Sequence, residues 1–209
     1  MNHFWILLIL MKKWIAISWL IFLFSGIATV FWYNEWKYSL PTPVPKNYQS
    51  VEIGDYINLN TSINPHNGKP VFVHFFNPNC PCSKFNIPHV RSLVKEYSGE
   101  VNFVTVAMCR DSSHTEAEIQ DQTGIKTPVY FDQSLAKSCG VYSTPQAVIL
   151  TSDNRLFYRG NFNKSRYCTD KKSYYARIAL DSLLNIHTQI VFSQSALKAY
   201  GCQLPTCTK

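Results

Sequence analysis

The sequence lacks the short motifs that mark several common enzyme classes. It has no glycine-rich nucleotide-binding loop, no carboxylate pair of the kind glycosidases use, and no serine, histidine and aspartate in a hydrolase order. Internal repeats and low-complexity tracts are also absent. The net charge is +7, but no stripe of basic residues alternates with aromatic ones, so nucleic-acid binding has little support. We therefore expect no nucleic-acid partner, no cofactor and no metal.

Charge is missing from a long segment near the N-terminus. Lys12 and Lys13 precede residues 14–33, about 20 mainly apolar residues that are enough to cross a bilayer. Positively charged flanks stay on the cytoplasmic side, so we expect residues 1–13 in the cytoplasm and the rest exported. The sequence thus predicts a single-pass signal-anchor helix in the inner membrane, with a C-terminal domain in the periplasm or an equivalent extracytoplasmic space.

The N-terminus leaves two alternatives open. A cleavable signal peptide would fit the small residues Gly26 and Ala28, but the apolar run continues past them to Tyr33, which favours an uncleaved anchor. Translation could also start at Met11, which directly precedes the two lysines.

Three further segments follow the anchor. Residues 34–49 form a proline-containing linker, residues 50–190 suit one domain, and residues 191–209 form a cysteine-containing tail. All seven cysteines lie in this exported part, which is typical of an oxidising compartment. Their odd number leaves at least one sulfur free or paired with a partner.

Cys80 lies where a hydrophobic strand gives way to a helix. Residues 70–76 are apolar and β-prone, and residues 77–79 break that pattern. Residues 83–97 then carry apolar side chains at helical spacing. At a helix N-terminus the unpaired N–H groups and the dipole favour thiolate over thiol. We therefore predict that Cys80 is a nucleophile near neutral pH and, because it is the cysteine expected at an exposed helix N-terminus, the most reactive one.

The residues around Cys80 resemble the thioredoxin superfamily. Thioredoxins have Cys-x-x-Cys-Lys after a strand, and a proline five residues after the second cysteine kinks their helix. Here Cys80 matches the first cysteine, Lys84 the lysine and Pro88 the proline, whereas Ser83 stands at the second cysteine position. Residues 143–145, Ser-Thr-Pro before an apolar strand, resemble the cis-proline loop that faces the active cysteine in that family.

This resemblance implies further site residues. Thr144 and Pro145 would belong to the active site with Cys80. His74 stands where the family has a buried acid and would relay protons to and from sulfur. A histidine that is simply satisfied within the core is the alternative.

The Cys-x-Cys spacing leaves two mechanisms open. Residues two apart on an α-helix point in nearly opposite directions, so Cys80 and Cys82 can bond only if the first turn unwinds. Either they form a labile, oxidising disulfide, or Cys80 works alone while Ser83 donates a hydrogen bond to its thiolate. In the second case Cys82 or a more distant cysteine, such as Cys109 or Cys139, resolves the mixed disulfide.

Strand and helix patterns alternate after the helix predicted over residues 83–97. The expected strands are residues 101–107, 127–131, 146–150 and 155–159, and the expected helices are residues 114–122, 134–139 and 173–184. This order predicts an α/β thioredoxin fold, a mixed sheet with helices on both faces, preceded by one transmembrane helix. The extra helix and strand before Pro145 resemble the central insert of membrane-anchored TlpA-like oxidoreductases. The tail resembles that of some redoxin relatives, and a structural disulfide between Cys202 and Cys207 is expected there.

The leading functional hypothesis is a membrane-anchored thiol–disulfide oxidoreductase. Its partners would be an exported protein substrate with a thiol or disulfide, a redox partner protein and the membrane. A copper-handling chaperone for respiratory oxidase assembly is an alternative because thiolates suit Cu(I), although those chaperones use Cys-x-x-x-Cys and a distant histidine. A non-catalytic thioredoxin-like adaptor is another. Peroxidase activity is less expected, since Asn77 replaces the threonine usual in peroxiredoxins.

Overall fold

A computed structural model describes residues 2–59, 63, 67–109, 114–185 and 190–204 of the chain. The chain divides into two units, Met1–Leu40 and Pro41–Lys209. The first contains a single helix, and the second is an α/β domain.

The first unit is built on the helix α1, Asn2–Ser39. Its segment Leu10–Trp36 has a mean hydropathy of 2.1 and exposes large apolar side chains such as Trp14 and Phe22. Such a surface is unfavourable in water and stable in a bilayer. The segment is long and apolar enough to cross a membrane, although a signal sequence has the same properties. The predicted helix over residues 14–33 lies within it.

The second unit contains a five-stranded sheet, a two-stranded sheet and short helices. The strands are β1 Val71–Phe76, β2 Asn102–Ala107, β3 Val129–Tyr130, β4 Ser143–Thr144, β5 Gln146–Leu150, β6 Leu156–Gly160 and β7 Cys202–Gln203. The α-helices are α2 Pro81–Tyr97, α3 Glu116–Thr123, α4 Gln133–Ser138, α5 Tyr175–Leu184 and α6 Gln194–Leu197, and Lys171–Ser173 forms a 3-10 turn.

The order of strands in the large sheet is β3-β2-β1-β5-β6. β1 is parallel to β2, and β5 is antiparallel to both β1 and β6. Because β1 and β5 run in opposite directions, with Phe75 opposite Gln146, the end of β1 lies beside the start of β5. This topology brings Cys80, just after β1, and Pro145, just before β5, to the same edge of the sheet.

Helices cover both faces of this sheet. On one face, buried side chains of the strands pack against α2 and α5, among them Phe72, Leu93 and Leu180. On the other face they pack against α4, as Phe75 and Leu135 do. The mixed sheet between two helical layers is the thioredoxin fold, so the predicted fold class is confirmed.

Some elements differ from the prediction. α3 begins at Glu116, later than the expected start at residue 114, because Thr115 and Glu118 form a capping box. The last predicted helix is a 3-10 turn followed by α5. The two-residue strands β4 and β7, which pair with each other, were not predicted.

Candidate functional site

Cys80 is the N-cap residue of α2. After β1 ends, the Cys80 N–H donates to the Asn77 carbonyl at 3.1 Å, and the Asn79 N–H donates to the Asn77 side chain at 2.9 Å. Pro81 follows in the first helical turn, where its missing N–H loses no helical hydrogen bond. The turn therefore leaves Cys80 at the positive end of the helix dipole, where a thiolate is favoured.

The cis-proline loop faces Cys80. The peptide bond between Thr144 and Pro145 is cis, and the Thr144 carbonyl oxygen lies 3.7 Å from Cys80 Sγ. Thr144 is fully buried. The fold thus brings Cys80, Thr144 and Pro145 together across 64 residues of sequence.

The Cys80 sulfur is bonded to Cys202, which is 122 residues further along the chain. This pairing differs from both expected ones. Cys82 remains a thiol, and the first turn of α2 is intact. The expected disulfide between Cys202 and Cys207 is wrong for this state, since Cys202 is already bonded and Cys207 lies outside the described residues.

A C-terminal arm, residues 199–204, carries Cys202 to the site. Within it β7 pairs antiparallel with β4, so that Cys202 lies opposite Thr144. The Leu204 N–H donates to the Tyr142 carbonyl at 3.0 Å, and the Leu204 side chain is buried in the core. The arm therefore adds a strand beside the cis-proline loop and leaves only 1% of Cys80 exposed. The sequence-based expectation of an exposed Cys80 does not hold in this disulfide-bonded form.

Gly201 allows the arm to approach β4. Its φ is +134°, and a Cβ at this position would lie 2.2 Å from the Thr144 carbonyl oxygen. A larger residue would have to push the arm off the cis-proline loop. The close packing of the arm on β4 therefore requires glycine at position 201.

Two buried polar residues from distant segments, Thr42 and Asn161, hold the arm. The Thr42 N–H donates to the Ala199 carbonyl at 2.9 Å, and the Thr42 hydroxyl donates to the Gly201 carbonyl at 3.2 Å. The Asn161 amide donates to two carbonyls just before the arm, at 2.9 and 2.6 Å. Neither residue was identified from the sequence, because only the fold brings them to the tail.

Cys82 and Ser83 lie inside the first turn of α2. Cys82 is 3% exposed, and burial raises the pKa of its thiol, although the nearby Arg166 guanidinium opposes that shift. The Ser83 hydroxyl accepts a hydrogen bond from the Asn77 N–H at 3.2 Å. The expected hydrogen bond from Ser83 to the Cys80 thiolate stays a prediction.

His74 lies in the central strand of the sheet, and its ring meets that of Phe162 edge to face, with 5.4 Å between ring centroids. It is 1% exposed, and burial lowers the pKa of His74 to about 3, so the ring is neutral at pH 7. Neither ring nitrogen has a hydrogen-bond partner among the described residues. The His89 ring also contacts Phe162, with 6.2 Å between ring centroids, and burial, assisted by Arg177, lowers the pKa of His89 to about 4. A role of His74 in proton relay stays a prediction.

The other described cysteines are buried thiols. Burial raises the pKa of Cys139 and of Cys168 to about 12 in each case. Cys109 lies in the small apolar cluster near the end of β2. No group of three histidine, cysteine or acidic side chains lies close enough to hold a metal ion within the described part of the chain.

Comparisons with solved structures give relatives of uncharacterised function. A hypothetical protein from Sinorhizobium meliloti is 20% identical, with a TM-score of 0.60 over 76% of this chain and 96% of that one. An uncharacterised conserved protein from Geobacillus kaustophilus is also 20% identical, with a TM-score of 0.57 over 78% and 96% of the two chains. These likenesses show the fold.

A thioredoxin domain of a thiol-disulfide oxidoreductase from Bacteroides vulgatus is a more distant likeness. It is 13% identical and has a TM-score of 0.46 over 59% of this chain and 98% of that one. No curated protein matches the sequence. A family model does match, over residues 52–205, and that region includes α2, the cis-proline loop and the arm. The chain therefore belongs to the family described as a domain of unknown function, DUF6436.

Proposed function

We propose that this protein is a membrane-anchored, extracytoplasmic thiol–disulfide oxidoreductase that acts through Cys80. One observation carries the proposal: Cys80 caps α2, faces the Thr144–Pro145 loop and is joined to a cysteine from a distant segment. A helix N-terminus lowers the pKa of a thiol, and thiolates exchange with disulfides. The sulfur therefore has the position and the bonding partner that thiol–disulfide exchange needs.

The remaining site residues have supporting roles in this proposal. The Thr144 carbonyl, 3.7 Å from Cys80 Sγ, accepts a hydrogen bond from the Cys80 thiol when the disulfide is reduced. Pro145 fixes the loop that presents this carbonyl. Ser83 stabilises the thiolate if its hydroxyl proton turns toward Cys80. His74 is neutral at pH 7 and contributes mainly by packing in the core.

The compartment follows from the first unit of the chain. Residues 14–33, within the apolar segment Leu10–Trp36, anchor the protein in the inner membrane, and the preceding Lys12 and Lys13 keep the N-terminus in the cytoplasm. The α/β domain then lies on the outer side, where disulfides persist. Its substrates are exported protein thiols or disulfides, and a redox partner protein returns it to its starting state.

The test uses the full-length protein in detergent. It should accelerate the reduction of insulin by dithiothreitol, and Cys80→Ser should lower the rate to the uncatalysed background. Cys139→Ala is the matched control, because that thiol is fully buried with its pKa raised to about 12, and it should keep the wild-type rate. Equal activity in Cys80→Ser and the wild type would refute the proposal.

The anchor is tested separately in sealed membrane vesicles of known orientation. The protein should resist extraction by alkaline carbonate, and protease added on the extracytoplasmic side should remove the α/β domain. Recovery of a soluble protein that begins after residue 28 would instead favour a cleaved signal peptide.

A further inference from the structure

The arm covers the sulfur on which the proposed function depends. Cys80 is 1% exposed, and the strand β7 lies directly beside the cis-proline loop. A protein substrate cannot reach Cys80 while the arm is in place. The arm must therefore leave before a substrate binds and return after it has reacted.

The attachment of the arm does not depend on the disulfide alone. The β4–β7 pairing, the two Thr42 hydrogen bonds and the burial of Leu204 all remain available when both sulfurs are reduced. These contacts return Cys202 to the same place opposite Thr144. Because the arm is part of the same chain, Cys202 meets Cys80 at an effective concentration of about millimolar or above.

We propose that Cys202 is the resolving cysteine of this protein, and that the arm and the substrate occupy the site beside Thr144 in turn. This inference rests on the proposed function, and it assigns the second sulfur of the reaction. It replaces Cys82, the sulfur nearest to Cys80 in sequence, as the resolving residue.

The two steps balance as ordinary thiol–disulfide exchange. The Cys80 thiolate attacks a substrate disulfide, a Cys80–substrate disulfide forms, and the first substrate sulfur leaves as a thiolate and takes up a proton. Cys202 then loses its proton to solvent and attacks the Cys80 sulfur, so that the Cys80–Cys202 bond forms and the second substrate sulfur leaves and is protonated. The substrate gains two electrons and the cysteine pair loses two. A protein dithiol or dithiothreitol reverses the change.

The other sulfurs are poorly placed for this role. Cys82 is a free thiol although it is two residues from Cys80, is 3% exposed and has a raised pKa. Cys139 is fully buried, with its pKa raised to about 12. A resolving thiol must reach the Cys80 sulfur as a thiolate, and only the arm brings a cysteine there in the described part of the chain.

The experiment follows single turnovers of the reduced full-length protein in detergent with dithiobis(nitrobenzoate), a small aromatic disulfide. Attack by Cys80 releases one coloured thiolate, and resolution releases the second. The wild type and Cys82→Ser should release both and end with the Cys80–Cys202 disulfide. Cys202→Ser should release one and retain the adduct on Cys80, with its discharge slowed about 10-fold or more. Peptide mapping by mass spectrometry locates the adduct.

The outcomes separate the two claims. An adduct that persists on Cys80 in Cys202→Ser but not in Cys82→Ser supports the inference. An adduct that persists in Cys82→Ser and clears in Cys202→Ser overturns it while leaving the proposed function intact. If Cys80 acquires no adduct in any variant, the proposed function itself fails. Gly201→Ala, which keeps both cysteines but displaces the arm, should also slow the second release.

Discussion

Cys80 and Cys82, at the first turn of α2, are shielded from solvent in different ways. Cys80 is covered by a short strand held by hydrogen bonds and one disulfide, whereas Cys82 is buried within the first turn of α2 near Arg166. The two cysteines are almost equally buried, at 1% and 3% exposure, and only two residues apart. The comparison shows that similar exposure has different causes here: Cys80 is covered by the arm, a distant segment of the chain, whereas Cys82 is buried within its own helix turn.

The largest effect on the Cys80–Cys202 redox equilibrium should come from a substitution that prevents the arm from packing closely on β4. Gly201→Ala introduces a Cβ 2.2 Å from the Thr144 carbonyl oxygen and a side chain at positive φ, which should weaken docking by about 1–3 kcal/mol or more. The Cys80–Cys202 disulfide should then be reduced more readily in a glutathione redox buffer, with an equilibrium shifted roughly 5- to 160-fold toward the dithiol.

Gly99→Ala is the control for this variant. Gly99 has no positive φ, and an added Cβ would meet nothing within 4 Å. Its redox equilibrium should match that of the wild type. If Gly201→Ala and Gly99→Ala behave alike, the arm is not held in the way described.

The pH dependence of folding stability tests the buried interior of the domain. His74 is neutral in the folded protein, with a pKa of about 3, and has an ordinary pKa of about 6.5 when unfolded. The unfolded chain therefore binds more protons between these values, and stability is lost as the pH falls below about 6.5. At pH 5 this loss is about 2 kcal/mol for His74, and His89 adds to it in the same direction.

His74→Leu should remove its share of this acid sensitivity. It also replaces a buried polar ring whose nitrogens have no hydrogen-bond partner among the described residues, so the variant should be more stable at pH 7 by about 1 kcal/mol. Urea unfolding of the full-length protein at pH 7 and pH 5 measures both effects. An unchanged pH slope would show that His74 is not a buried neutral group, and lost insulin reduction would favour its role in proton relay.

The smallest effect on the disulfide equilibrium is expected from the Thr42 hydrogen bonds that hold the arm, which we call the clamp. Thr42→Val keeps the backbone hydrogen bond to Ala199 but removes the hydroxyl contacts with Gly201 and Ser143. Docking should weaken by about 1 kcal/mol, which shifts the disulfide equilibrium about fivefold toward the dithiol. Thr169→Val, at an exposed position, is the control and should leave the equilibrium unchanged. A shift as large in the control as in Thr42→Val would exclude a clamp at Thr42.

The sequence predicts the parts of the site that local patterns determine. The apolar run before Cys80, the helical spacing after it and the proline before β5 each leave a signal within a few residues, and β1, α2 and β5 are observed close to their expected bounds. The pairing of Cys80 with Cys202 leaves no such signal. It depends on a two-residue strand and on contacts across 122 residues, which only the folded chain brings together. The glycine before Cys202 was the available sign, because it permits an approach that a side chain would block.

Disulfide mapping tests the central claim most directly. The full-length protein is purified without reductant, its thiols are blocked in acid-quenched, denaturing conditions, and its peptides are analysed by mass spectrometry before and after reduction. We predict a linked pair of peptides that contain Cys80 and Cys202, with Cys82 recovered as a blocked thiol. A disulfide between Cys80 and Cys82, or between Cys202 and Cys207, would contradict the account.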